Sequence, residues 1–133
     1  MLAKKIHRPL SPHLGIYKPQ ISSTLSIFHR ISGVTNFLSM LALTWWVVGV
    51  AFESGNIMQS CIWQFFSTIW GQMILMGLSF SIFLHFCTGV RHLFWDCGLG
   101  FEVKTMTITG WIAIITAITL TAITWLIIFN ITR

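Results

Sequence analysis

Three long stretches of this chain carry no Asp, Glu, Lys or Arg and are dominated by apolar side chains. They run over residues 31–52, 54–90 and 105–132. A helix needs about 20 apolar residues to cross the hydrocarbon core of a bilayer, at about 1.5 Å per residue. Each stretch meets that length, and none consists of the short alternating segments of a membrane β-barrel. The pattern predicts an all-α integral membrane protein with three transmembrane helices.

Turn-forming residues indicate where these helices begin and end. The first 20 residues contain all three prolines, which lack the backbone N–H that a long helix needs. Ser54-Gly55-Asn56 opens the middle stretch as a turn, and Gly98 and Gly100 interrupt the chain after it. We therefore expect a Pro-rich extended arm over residues 1–21 and a membrane domain over residues 22–133, with helices at about 22–52, 62–94 and 106–131.

Composition indicates that lipid is the solvent for most of the chain. Apolar residues make up 55% of it and charged residues only 8%, whereas a soluble domain carries about 25% charged residues. Too few charges remain to cover a water-soluble surface. We expect the lipid bilayer as a partner and no nucleic acid, despite the net charge of +5.

The basic residues predict the orientation in the membrane. Most of them precede the first helix or flank the loop between the second and third helices, and so fall on one side: Lys4, Lys5, Arg8, Lys18, Arg30, Arg91 and Lys104. The positive-inside rule puts that side, with the N-terminus, in the cytoplasm or the mitochondrial matrix. Residues 1–18 lack the apolar core of a signal peptide. We expect a multi-pass protein of a bacterial inner membrane or a mitochondrial inner membrane.

His85 is an ionisable residue inside the second expected helix. It precedes Arg91 by six residues and so lies about 9 Å inside the interface, a depth at which an ionisable group indicates function. Ser81, Gly89 and His92 share its face, and the two small residues would let a flat macrocycle approach the backbone. Imidazole is the usual axial ligand of b-type haem. A histidine that only hydrogen-bonds a neighbouring helix fits the sequence equally well.

A second polar group opens the first helix. Its members are spaced i, i+3, i+4 and i+7 and therefore share one face: Ser26, His29, Arg30 and Gly33. Hydroxyl, imidazole and guanidinium donors suit a quinone carbonyl or a haem propionate, since Arg30 stays charged and donates several hydrogen bonds. The alternative is that Arg30 only extends toward lipid headgroups.

Arg91, His92 and Asp96 form a third polar group at the same interface. Arg91 and Asp96 are five residues apart, which is a poor spacing for paired side chains on a helix. Asp96 is a candidate for relaying protons, and the alternative is a solvated acid at the end of a helix.

Two segments of the chain resemble one known family. Residues 8–34, RPLSPHLGIYKPQISSTLSIFHRISGV, resemble the start of the cytochrome b subunit of succinate dehydrogenase, the larger membrane anchor of respiratory complex II. Residues 85–98, HFCTGVRHLFWDCG, resemble that family's second motif, H-x-x-x-G-x-R-H-x-x-x-D. The Pro-rich arm is similar to the mitochondrial and alphaproteobacterial branch.

The resemblance implies a haem b site. His85 matches the axial ligand of the haem iron, and the second histidine ligand would come from the smaller anchor subunit. His29, Arg30 and His92 match positions near the haem propionates. Haem b is thus the expected cofactor, shared with a second anchor subunit in a heteromeric helical bundle.

The resemblance also implies a ubiquinone site. Ser26 and Arg30 match residues that line the quinone pocket. Asp96 matches an acid near that pocket on the cytoplasmic or matrix side, and is the candidate for a proton path.

The family divides its chemistry among subunits. A flavoprotein oxidises succinate, an iron–sulfur protein passes the electrons on, and the two anchors dock that pair to the membrane and bind the quinone. The present chain has no dinucleotide fingerprint and no cysteine cluster, so we expect no catalytic residue for succinate oxidation in it. Two alternatives stay open: an anchor of a fumarate reductase that uses menaquinone, and a haem-free structural anchor. A small transporter is a poorer expectation, because the three stretches contain no carboxylate.

Overall fold

The computed structural model describes residues 18–52 and 57–131, apart from the side chains of residues 57–59. These residues form four helices: α1 (Ile21–Phe52), α2 (Ile57–Ser67), α3 (Ile69–Asp96) and α4 (Val103–Ile131). Among them α1, α3 and α4 are long and apolar enough to cross a membrane. The all-α fold with three membrane-crossing helices is therefore confirmed. The N-terminal arm predicted over residues 1–21 lies outside the described residues up to residue 17, and residues 18–20 are not helical.

The second membrane helix begins later than the 62–94 range expected from the sequence. Residues 62–67 belong to the separate helix α2, and α3 starts only at Ile69. Thr68 causes the break, because its hydroxyl donates to the carbonyl of Phe65 at 2.6 Å and accepts from the amide of Gly71. A Cβ on Gly71 would lie 2.3 Å from that same carbonyl oxygen. Only glycine allows the chain to turn this tightly between α2 and α3.

α3 is the central helix and packs against both α1 and α4. Leu25, Leu84 and Ala117 form the buried core where the three helices meet. α4 approaches closely because its inner face carries small residues, and a Cβ on Gly110 would lie 3.0 Å from Leu25. In lipid such close van der Waals packing stabilises helix contacts, since burial from water supplies little there.

The turn after α3 directs α4 back along it. Gly98 and Gly100 both have positive φ, at 78° and 82°, a conformation that side chains with a Cβ rarely adopt. The amide of Gly98 donates to the carbonyl of Trp95 at 2.8 Å and so closes the end of the helix. α4 then starts at Val103, three residues before the expected position.

The outer faces of the helices are strongly apolar. Every residue of α1 from Met40 to Phe52 is exposed, including Trp45 and Trp46. Exposed apolar side chains also cover the outer faces of α3 and α4. These surfaces suit lipid tails or the helices of other subunits, whereas polar side chains meet at the interfaces between the helices, as those of α1 and α3 do at His29 and Thr88.

Candidate functional site

The polar side chains of α1 and α3 meet at a pair of stacked imidazoles. The rings of His29 and His85 have centroids 4.0 Å apart and planes only 8° from parallel. Gly33 provides the space, because a Cβ there would lie 3.0 Å from Cε1 of His85. Two groups that the sequence placed on separate helices are therefore one site.

Hydrogen bonds determine which nitrogen of His85 carries the proton. Nδ1 lies 3.1 Å from the carbonyl oxygen of His29 and 3.1 Å from Oγ of Ser32. A carbonyl oxygen only accepts, and Ser32 donates its own hydroxyl proton to that carbonyl at 2.9 Å. Nδ1 must therefore be the donor. The Nε2 of neutral His85 is left with a free lone pair, and the described residues offer it no hydrogen-bond partner.

The same reasoning assigns the proton on His29. Its Nδ1 lies 2.7 Å from Oγ1 of Thr88, a side chain that is almost fully buried. Thr88 donates its hydroxyl proton to the carbonyl of Leu84 at 2.6 Å, so His29 must donate to Thr88. Its Nε2 can accept a hydrogen bond when the ring is neutral and can donate to an anion only when the ring is charged.

The stack continues toward the end of α3. His92 lies with its ring centroid 5.0 Å from that of His29, and Trp95 packs edge-on against His92 at 4.9 Å. The guanidinium carbon of Arg91 lies 4.1 Å from the centre of the Trp95 ring. His29 thus lies between the two histidines of α3, and a row of imidazoles runs toward the C-terminal end of α3.

On the interior side of the stack, α1 and α3 are held together by a second polar contact. Ser81 donates to the side-chain oxygen of Asn36 at 2.9 Å. Ser81 therefore lies on the same face of α3 as His85, as expected. Its hydroxyl is used in a hydrogen bond to Asn36 of α1. Interhelical hydrogen bonds of this kind are worth about 0.6 kcal/mol in a membrane, so the contact fixes the register of α1 and α3 more than it stabilises them.

The remaining sequence-predicted residues lie at the edge of this site. Ser26 is half-buried, whereas Arg30 and Asp96 are exposed. Neither Ser26 nor Arg30 bonds to another described side chain, and Arg91 bonds to α4 and not to Asp96. The structure therefore joins His29, His85 and His92, and leaves Arg30 and Asp96 free to face other molecules.

Sequence reasoning missed the residues that orient the histidines. Ser32 and Thr88 are ordinary hydroxyl residues in helices, where such side chains usually bond back to their own backbone. Both do so here, and each oxygen then accepts from an imidazole on another helix. The signal that would have found them is their register, since Ser32 lies three residues after His29, and Thr88 three residues after His85.

Comparison with known proteins identifies the family of the chain. A model of the succinate dehydrogenase/fumarate reductase transmembrane subunit family matches residues 4–124. The chain belongs to this family. Within the family it is similar to the succinate dehydrogenase cytochrome b556 subunit of Rickettsia bellii, with 46% identity over 121 residues that cover 89% of this chain and 90% of the relative.

Members of the family from other sources are similar as well. The succinate dehydrogenase cytochrome b560 subunit of Reclinomonas americana is 36% identical over 130 residues, which cover 92% of this chain and 87% of the relative. The cytochrome b556 subunit of Paracoccus denitrificans is 34% identical over 98 residues, 74% of each chain. These relatives confirm the resemblance seen in the two motifs, including the mitochondrial and alphaproteobacterial branch.

Proposed function

We propose that this chain is the larger membrane anchor of a succinate:ubiquinone oxidoreductase and supplies one axial histidine, His85, to haem b. The observation that carries the proposal is the hydrogen bond from Nδ1 of His85 to the carbonyl of His29. Histidines that ligate a metal almost always donate their other ring N–H to a carbonyl or carboxylate, which fixes the tautomer and the ring orientation. His85 has that arrangement already.

The surroundings of His85 fit a haem in three further respects. Ser32 adds a second acceptor at Nδ1 and so holds the ring against rotation. His29 supports one face of the ring, and Gly33 allows α1 to approach it. His92 and the exposed Arg30 are donors for propionates on the membrane surface side. Haem b, when bound here, would supply a one-electron carrier buried between the anchor subunits.

Ser26 and Arg30 form the part of the ubiquinone site that we assign to this chain. Both lie at the start of α1 on the side of the bilayer where the basic residues cluster. The guanidinium of Arg30 is exposed and has five N–H donors for a quinone oxygen. Quinone reduction takes up protons as well as electrons. Asp96, exposed at the end of α3 and four residues after His92, is our candidate for delivering them from the cytoplasm or matrix.

The proposal requires partner subunits. The second axial histidine would come from the smaller anchor subunit, and succinate oxidation from a flavoprotein and an iron–sulfur subunit. Three helices with apolar outer faces gain little from lipid alone, which favours assembly with the helices of another chain. The half of α1 from Met40 to Phe52 is exposed throughout, and we assign it to lipid and to the second anchor.

The experiment that tests the function is a reduced-minus-oxidised absorption spectrum of the purified complex. The complex is reduced once with dithionite and once with succinate. A b-type α-band with both reductants is expected, because the haem would then be connected to succinate oxidation. A band with dithionite alone would contradict the succinate assignment and favour another redox partner. Absence of a band would leave a haem-free anchor.

A further inference from the structure

A cavity lies on the opposite side of α3 from His85. It has a volume of about 330 Å³ and lies between α3 and α4. Most of its wall is apolar and comes from one face of each helix, with Phe86, Val90, Phe94, Ile112 and Ala113 lining it and Thr116 beside them. Phe86 and Ile112 are more than half exposed, so the cavity opens toward the surrounding membrane. The histidine row takes no part in it.

A buried cation forms the polar end of this α3–α4 cavity. Arg91 lines it and is only 6% exposed. Its Nε donates to Oγ1 of Thr109 at 3.1 Å, and one terminal nitrogen donates to the carbonyl of Met106 at 2.7 Å. The ring of Trp95 lies against the guanidinium carbon. These contacts hold the guanidinium in one orientation at the polar end of the cavity.

The charge of Arg91 is not compensated within the described residues. All its described contacts are to neutral groups, and neither Asp96 nor Glu102 pairs with it. Two of its five N–H donors are used, which leaves three for a ligand. A buried charge is costly unless it is paired and hydrogen-bonded, so this site favours an anion. Arg91 precedes the end of α3 by five residues, or about 8 Å along the helix axis. At that distance from the helix end it is within reach of lipid headgroups.

We propose that the α3–α4 cavity binds one anionic phospholipid, with its phosphate on Arg91 and an acyl chain along Phe86, Val90 and Ile112. The apolar wall distinguishes a lipid from free phosphate, because a small hydrated anion would leave this surface uncovered. The uncompensated positive charge selects a lipid with net negative charge over a zwitterionic one. Trp95 contacts both Arg91 and His92, but the proposal uses none of the residues assigned to the haem or the quinone and does not depend on their roles.

Native mass spectrometry of the intact detergent-solubilised complex tests this site. The probes are dioleoyl phosphatidylglycerol and dioleoyl phosphatidylcholine, which share acyl chains and differ in net charge. We expect wild type to retain one phosphatidylglycerol at this site in preference to phosphatidylcholine. Arg91→Gln should reduce that retention by about tenfold or more, the effect of losing a hydrogen bond to a charged group. Lys104→Gln, which removes an exposed cation from the same end of the molecule, should leave it unchanged.

A second variant makes the test independent of the stability of Arg91→Gln. Thr116→Trp fills the apolar part of the cavity and keeps Arg91, and should also reduce phosphatidylglycerol retention. Several results would overturn the proposal: equal retention of both lipids by wild type, full retention by both variants, or displacement by a large excess of inorganic phosphate. If wild type retained no phosphatidylglycerol, the proposal would also be overturned. A helix of another subunit would then be the expected occupant of the cavity.

Discussion

The imidazole of His29 lies flat against that of His85, and the backbone carbonyl of His29 accepts the proton of the same His85 ring. One residue of α1 therefore supports the ring of α3 and also fixes its tautomer. Because of these two contacts, the orientation of the His85 ring depends on how α1 is rotated about its axis and how far it is shifted along it.

Gly33→Ala should displace the imidazole of His85. The new Cβ would lie 3.0 Å from Cε1 of that ring, and overpacking of this kind costs about 1–3 kcal/mol. We expect a reduced haem content or a shifted α-band in the purified complex. Gly49→Ala is the matched control, because a Cβ at Gly49 on the same helix meets nothing within 4 Å. Equal spectra of the two variants would show that α1 does not constrain His85.

Ser32→Ala should keep the haem and change its potential. It removes one of the two acceptors at Nδ1 of His85, which makes the ring a poorer electron donor and should raise the midpoint potential. A lost neutral hydrogen bond of about 1 kcal/mol corresponds to roughly 40 mV for one electron. Ser39→Ala is the control, since Ser39 donates only to its own helix at Thr35. A redox titration in which both variants match wild type would exclude Ser32 as a positioning residue.

Arg30→Gln should impair quinone reduction and leave succinate oxidation intact. The loss of a hydrogen bond from a charged donor is worth about 1.5–3 kcal/mol, or roughly 10- to 100-fold in rate. The measurement compares succinate-dependent ubiquinone reduction with electron transfer from succinate to a water-soluble dye. Lys18→Gln, at an exposed cation just before α1, should affect neither. Ubiquinone reduction at the wild-type rate in an assembled Arg30→Gln complex would contradict a role at the quinone.

The membrane helices were predictable because each segment by itself contains a charge-free apolar run long enough to cross a membrane. Charge-free length predicts a crossing helix whatever its neighbours are, and α1, α3 and α4 all follow it. The break at Thr68 was not predicted. It depends on a hydroxyl bond to Phe65 and on a backbone contact at Gly71, and neither has a distinct pattern in so apolar a run.

The sequence indicated the individual residues of the site, but it did not indicate that those of α1 and those of α3 contact each other. Periodicity placed His29 and Gly33 on one face of α1, and His85 and His92 on one face of α3. Whether these faces meet depends on how each helix is rotated, and the packing around Leu25, Leu84 and Gly110 sets that rotation. The supporting roles of Ser32 and Thr88 appear only once the two helices are in contact.

The central claim is that His85, and not another histidine of the row, ligates the haem iron. The most direct measurement is the dithionite-reduced minus oxidised spectrum of the intact complex with His85→Gln, with His92→Gln as the matched variant. His92 lies seven residues later on the same face of α3, and no hydrogen bond from a described residue fixes its tautomer. We predict that His85→Gln loses the low-spin b-type α-band and that His92→Gln retains it. An unchanged band in His85→Gln would contradict the account.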